Sequence, residues 1–305
     1  MMNSHFRGLI AAPFTPFLED GSLNLEIIPA YARFLKSRGV NTVFICGTTG
    51  EGASLSVEER QQVASAWKKA AADDLSVIVH VGHTSLGDAR VLAYHASEIG
   101  ATAIAALAPY FFKPPDAEGL VNWCSSLAEA APKLPFYYYN IPSLTGVAIP
   151  GAEFLAAAGS RIPSLVGIKY THEDLADYEA CVRLAEGRFD MLFGRDELLI
   201  EGWARGARGA VGSTYNYASP LYLRLIEAVE AGQPDQARSL QNQAIAMIAA
   251  CNSIGVTHLA GSKTVMGMLG VDCGPVRQPL TQPTSEQVAD LRTKLEVISF
   301  FKFAA

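Results

Sequence analysis

Short runs of apolar and β-branched residues alternate along this chain with longer stretches whose apolar positions recur at helical spacing. Runs at Gly8–Pro13, Thr42–Cys46, Val77–Val81, Ala103–Ala108, Phe136–Tyr139, Leu165–Lys169, Met191–Phe193 and Gly209–Gly212 read as strands. They are nearly continuous in hydrophobicity, as strands covered on both faces of a parallel sheet must be. A helix is predicted after each, near 24–38, 56–72, 86–99, 116–131, 150–159, 173–187, 196–206 and 218–231. The clearest start is Ser56-Val57-Glu58-Glu59, where Ser56 can cap the helix and Glu59 can reach back to it. Eight strand-then-helix units predict the α/β class and a closed (β/α)8 TIM barrel. A doubly wound open sheet is the alternative, but no Gly-x-Gly-x-x-Gly follows the first strand.

Beyond about residue 232 the strand pattern stops. Segments 233–252, 260–269 and 285–301 read as helices separated by turns such as Cys273-Gly274-Pro275. The expectation is a single domain over 1–305, with a barrel in 1–232 and a C-terminal helical extension in 233–305.

Composition narrows the partners. Half the residues are hydrophobic, 18% are charged and the net charge is −6, so a large core is available and no polybasic patch offers itself to nucleic acid or an anionic membrane. No apolar run approaches the length of a membrane span, and Met1-Met2-Asn3-Ser4 begins nothing like a secretion signal. The five cysteines are scattered without a Cys-x-x-Cys pair, which reads as reduced thiols and a cytoplasmic protein. Cys46, beside a glycine-rich turn, reads as a small core residue.

The chemistry gathers where strands end, the face that carries active sites in such a barrel. Lys169 closes the apolar run Ser164–Lys169; burial lowers a lysine's pKa, and a neutral amine is a nucleophile for carbonyl carbon. The bland alternative is a solvated loop lysine. Tyr137, Tyr138 and Tyr139 alternate across the sheet, so Tyr138 should face opposite to the other two, and a Tyr139 hydroxyl beside Lys169 would shuttle protons. Lysine and tyrosine together point to Schiff-base chemistry. In Gly47-Thr48-Thr49-Gly50-Glu51-Gly52, backbone N–H groups and the hydroxyls of Thr48 and Thr49 can cradle a small anion. The loop is too short for a nucleotide phosphate loop and lacks its Lys-Ser/Thr, so a carboxylate is favoured over phosphate; a plain turn is the alternative. Asp196 and Glu197 in Gly194-Arg195-Asp196-Glu197 either complement a helix dipole or hold the hydroxyls of a polyol. His80, His83 and His172 lack metal-ligand spacing.

These segments, with Tyr139-Asn140-Ile141-Pro142, Gly167-Ile168-Lys169 and Gly212-Ser213-Thr214-Tyr215-Asn216, resemble the N-acetylneuraminate lyase / dihydrodipicolinate synthase superfamily of class I aldolases, in order and spacing over nearly the whole chain. The resemblance implies Lys169 as the imine-forming residue and Tyr139 as the proton relay. It implies Thr48 and Thr49 on the substrate carboxylate, and Thr171, Gly194, Asp196, Glu197, Gly212 and Ser213 along a sugar acid. It implies no metal and no cofactor beyond the covalent lysine imine, a small-molecule partner and a homotetramer. Leu144 stands where the synthases carry an arginine for a second carboxylate, which favours the lyase branch and cleavage of N-acetylneuraminate to pyruvate and N-acetylmannosamine. Dihydrodipicolinate synthesis and cleavage of a 2-keto-3-deoxy sugar acid are the rival activities, and a non-enzymatic sugar-acid binder is the rival class. One departure stands out: Ala108-Pro109-Tyr110-Phe111-Phe112 places Phe111 where the synthases insert a tyrosine into the neighbouring subunit. Lys263 is expected in a structural or surface role.

Overall fold

The protein, a computed structural model, is described over residues 5–72 and 74–304; Met1-Met2-Asn3-Ser4, Asp73 and Ala305 lie outside the described residues. Eight parallel strands close into a barrel in sequential order, with the last pairing the first. They are β1 (Gly8–Ala11), β2 (Thr42–Ile45), β3 (Ser76–His80), β4 (Ala103–Leu107), β5 (Phe136–Asn140), β6 (Leu165–Tyr170), β7 (Asp190–Phe193) and β8 (Gly209–Gly212). The helices α1 (Ile28–Ser37), α2 (Val57–Ala71), α3 (Leu86–Glu98) and α4 (Ala117–Ala128) follow the first four strands. After β5 come a one-turn helix α5 (Pro142–Thr145), absent from the sequence reading, and α6 (Gly151–Ala158). Next are α7 (Leu175–Arg183), α8 (Leu199–Ala204) and α9 (Tyr215–Glu230).

Each strand splits its side chains between two apolar layers, as the pleat demands. Tyr138 faces outward onto Phe154 of α6, with ring centroids 4.5 Å apart. Tyr137 and Tyr139 face the barrel interior with Ile10, Phe44, Ile78 and Leu192. The same alternation turns Lys169 inward, because its neighbours Ile168 and Tyr170 belong to the outer layer. At the amino end the interior is closed by Asp190, whose carboxylate accepts from the Tyr137 hydroxyl at 2.7 Å and the Phe6 N–H at 2.9 Å. Ser56 and Glu59 form the anticipated reciprocal cap on α2.

The extension contains α10 (Pro234–Asn252), α11 (His258–Met268), α12 (Ser285–Val297) and α13 (Phe300–Phe303). Met247, Cys251, Met266, Leu291 and Phe300 join the same apolar layer as the outward faces of the strands. Several boundaries differ from the sequence expectation, three of them with a local cause. The helix expected from 218 begins at Tyr215 and bends at Ala218, which has non-helical dihedrals two residues before Pro220, where the proline ring disfavours regular helix. The one expected from 260 begins at His258, capped by the Thr257 hydroxyl. The segment expected as one helix over 285–301 breaks at Ser299, whose φ of 59° is left-handed.

Candidate active site

At the carboxyl end of the barrel a cavity of about 310 Å³ opens, and all ten residues singled out from the sequence line it: Thr48, Thr49, Tyr139, Lys169, Thr171, Gly194, Asp196, Glu197, Gly212 and Ser213. Lys169 is 5% exposed. Its Nζ lies 3.5 Å from the centroid of the Tyr139 ring and 4.6 Å from that of Phe44. Burial pulls the amine below the ordinary lysine value, while Tyr139 and the Asp196 carboxylate pull the other way. An aromatic floor can hold an ammonium through its ring quadrupole, so both protonation states are tolerated where bulk water is excluded.

The Tyr139 hydroxyl lies 3.3 Å from Thr48 Oγ1. Its ring is clamped edge-on by Phe44 at 5.5 Å and by His80 at 5.8 Å, which restricts where the hydroxyl can point. His80 is kept neutral, first by burial and then by the adjoining Arg60 guanidinium. Its Nδ1 lies 3.0 Å from the Cys46 carbonyl. His83 and His172 sit by surface carboxylates, Asp88 and Glu173. Among the described residues no cluster of ligating side chains is arranged to hold a metal ion.

The distal wall is built from β6, β7 and β8. Thr171 Oγ1 is buried there without a hydrogen-bond partner. Unsatisfied buried hydroxyls are uncommon, and this one lines the cavity. Asp196 Oδ2 accepts from the Thr214 N–H at 3.0 Å and the Thr214 hydroxyl at 2.6 Å. Burial pushes its carboxyl up to about 6 against those bonds. The neighbouring strands make room for this wall only as glycine. A Cβ on Gly212 would stand 2.0 Å from Asp196 Oδ1, and one on Gly194 would stand 2.0 Å from Thr171 Oγ1. Arg195 bridges Glu173 at 2.6 Å and Glu197 at 2.8 Å, fixing the Glu197 carboxylate at the rim.

Several residues of the site escaped the sequence reading. Phe44, under the Lys169 amine rather than on the cavity wall, is signalled by the alternation Val43-Phe44-Ile45, which turns it into the barrel. Asn252 and His258 reach the cavity from α10 and α11, and no local signal announces that these helices return over the rim. His258 Nδ1 lies 3.0 Å from Asn252 Oδ1 and its Nε2 3.1 Å from the Ser262 hydroxyl. A second cavity of about 650 Å³ adjoins the first through Thr48, Thr49, Ser213 and His258, with apolar walls that include Leu107, Tyr110, Leu144 and Leu280. Leu144 is exposed at this rim; Phe111 and Phe112, which follow Tyr110 in the chain, are exposed as well. Lys263, expected as structural or surface, is buried against Glu51.

The model of the dihydrodipicolinate synthetase family matches residues 5–298. The chain is 42% identical over 301 residues to an N-acetylneuraminate lyase of Rattus norvegicus, covering 97% of this chain and 94% of the relative. Among solved structures, N-acetylneuraminate lyase of Proteus mirabilis superposes with a TM-score of 0.94 at 41% identity, covering 97% of this chain and 100% of that one. N-acetylneuraminate lyase (sialic acid aldolase) of Aliivibrio salmonicida superposes with a TM-score of 0.95 at 39% identity, covering 99% and 100%.

Proposed function

The chain belongs to the dihydrodipicolinate synthetase family, and on that premise we propose that it is a class I aldolase, a carbon–carbon lyase that reversibly cleaves N-acetylneuraminate to pyruvate and N-acetylmannosamine. The observation that carries the reading is the buried Lys169 amine against the Tyr139 ring, with the Tyr139 hydroxyl 3.3 Å from Thr48 Oγ1. The likeness to N-acetylneuraminate lyases, at 42% identity over almost the full chain, supports the choice of sugar acid.

In this mechanism the neutral amine of Lys169 attacks the C2 ketone of the open-chain acid, and the Tyr139 hydroxyl gives its proton to the departing carbinolamine oxygen, so that loss of water leaves an iminium and a tyrosinate. The Thr48 and Thr49 hydroxyls and their backbone N–H groups hold the carboxylate. The Tyr139 oxygen, freed of its proton in that step, takes the proton of the C4 hydroxyl through the bound carboxylate and returns it when C3 is protonated. The C3–C4 pair flows into the iminium, which becomes an enamine as C4 leaves as the aldehyde of N-acetylmannosamine. Protonation at C3 and hydrolysis release pyruvate and the free lysine. The iminium is itself the electron sink, so the reaction calls for neither metal nor organic cofactor. Asp196, Glu197, Ser213, Gly194, Gly212 and the unpartnered Thr171 hydroxyl orient the polyol, the kind of positioning that lowers a barrier by several kcal/mol, on the order of 7–11 at best.

Borohydride added in the presence of pyruvate should fix a three-carbon adduct on Lys169 in the peptide map; an unmodified Lys169 refutes the mechanism. Assays with N-acetylneuraminate, with aspartate semialdehyde plus pyruvate, and with a 2-keto-3-deoxy sugar acid then test the substrate. The exposed Leu144 offers no cation for a second carboxylate, which argues against the synthase activity. A homotetramer is part of the proposal: exposed Phe111, Phe112 and Leu144 are the kind of apolar surface that subunit contacts cover. A reducing cytoplasm suits five buried free cysteines, and among the described residues no helix is long and apolar enough to cross a membrane.

A further inference from the structure

The carboxylate cradle is strained, and what restrains it comes from the far end of the chain. Two non-glycine residues bracket Thr48 and Thr49 in left-handed backbone: Cys46 at φ 57° and Glu51 at φ 52°. Such conformations are unfavourable for residues with a Cβ and persist only where surrounding contacts over-determine them. Glu51 is 4% exposed. Its Oε1 lies 3.0 Å from Lys263 Nζ, and its Oε2 accepts from the Arg277 N–H at 2.8 Å. Lys263 spends all three of its donors here, the other two on the Thr15 carbonyl at 2.8 Å and the Pro275 carbonyl at 2.6 Å. Thr15 in turn donates its hydroxyl to the Gly50 carbonyl at 2.6 Å. The ammonium therefore grips the turn twice, through the Glu51 side chain and through Thr15 onto Gly50.

We propose that Lys263 and Glu51 are positioning residues for the keto-acid carboxylate: the buried pair is how the helical extension sets Thr48 and Thr49. An ion pair between α11 and a turn 212 residues away is a costly way merely to attach a helix, since a buried pair contributes less to stability than an apolar contact of the same volume. Geometry at the turn is what the pair supplies. The inference rests on the aldolase reading, because the cradle is assigned to a carboxylate.

The test uses the full-length protein and pyruvate. Lys263→Met and Glu51→Gln are compared with wild type by circular dichroism, by half-saturating pyruvate in borohydride trapping on Lys169, and by KM for each condensation substrate. Folded variants should need about tenfold more pyruvate or beyond, the scale of one lost hydrogen bond to a charged group. KM for N-acetylmannosamine should stay within about twofold, and trapping at saturation should remain complete. Thr15→Val, which keeps the pair and removes only the Gly50 arm, should raise half-saturation in the same sense if the two charge variants do not fold. Unchanged half-saturation in the folded variants, Thr15→Val included, overturns the proposal. Absence of trapping in wild type refutes the aldolase reading instead, so the two failures are distinct.

Discussion

Asp196 offers a measurement in which stability and activity should move in opposite directions. Its carboxyl is 6% exposed, lies within the influence of Glu197, and is raised from 3.8 to about 6 chiefly by burial. The folded protein therefore binds this proton more tightly than the unfolded chain does. Below pH 4 both states are protonated and the site costs nothing through linkage. Between 4 and 6 the unfolded chain has released the proton while the folded one retains it, so stability falls as pH rises. Above 6 both are ionised and the cost is constant. At about 1.4 kcal/mol for each tenfold change in proton affinity, the gap between 3.8 and about 6 gives an upper figure of about 3 kcal/mol. Asp196→Asn removes the titration yet leaves a carbonyl oxygen where Oδ2 accepts both Thr214 bonds. Urea unfolding of the two proteins from pH 4 to pH 7.5 should show the variant gaining on wild type by up to about 3 kcal/mol across that interval. The difference between the proteins is the readout, because titrating groups that do not interact with Asp196 cancel in it, which leaves only its neighbours Glu197 and Lys169. At the same time KM for N-acetylmannosamine should rise and half-saturating pyruvate should not, since the amide is a weaker acceptor for sugar hydroxyls. A stability difference that stays flat from pH 4 to pH 7.5 would refute the reasoning.

Other outcomes follow from the same geometry. Burial lowers the Lys169 amine, so the free-base fraction, and with it the rate of imine formation, should rise with pH through a midpoint below the ordinary lysine value; a midpoint at or above about 10.4 would contradict that. Lys169→Met should abolish turnover and the borohydride adduct while circular dichroism stays unchanged. Gly194→Ala drives a Cβ to 2.0 Å from Thr171 Oγ1 and 2.9 Å from the Tyr170 carbonyl, so it should lower kcat/KM for the sugar far more than it changes half-saturating pyruvate. Ser56→Ala removes one half of the α2 cap and should cost about 1 kcal/mol in unfolding without altering either KM.

Local information carried a large share of this protein. Period-two alternation sent Tyr138 outward and Tyr137, Tyr139 and Lys169 inward, because a pleated strand leaves a side chain only two directions. Eight strand–helix repeats implied closure, and closure brings strand ends together, so the segments at those ends share one face; Thr171 and the sugar-acid roles rested on the family resemblance instead. What the chain could not declare locally are encounters that depend on where a helix returns. Asn252 and His258 reach the cavity only because α10 and α11 fold back over the rim, and nothing in their own spacing distinguishes them from surface positions. Lys263 looked unremarkable until packing buried it against Glu51, far away along the chain. The vacant hydroxyl of Thr171 and the elevated proton affinity of Asp196 likewise arise from exclusion of water by several elements at once. Backbone pattern is a property of neighbours in sequence, whereas desolvation and long-range pairing are properties of the assembled interior, and those set the chemistry of the site.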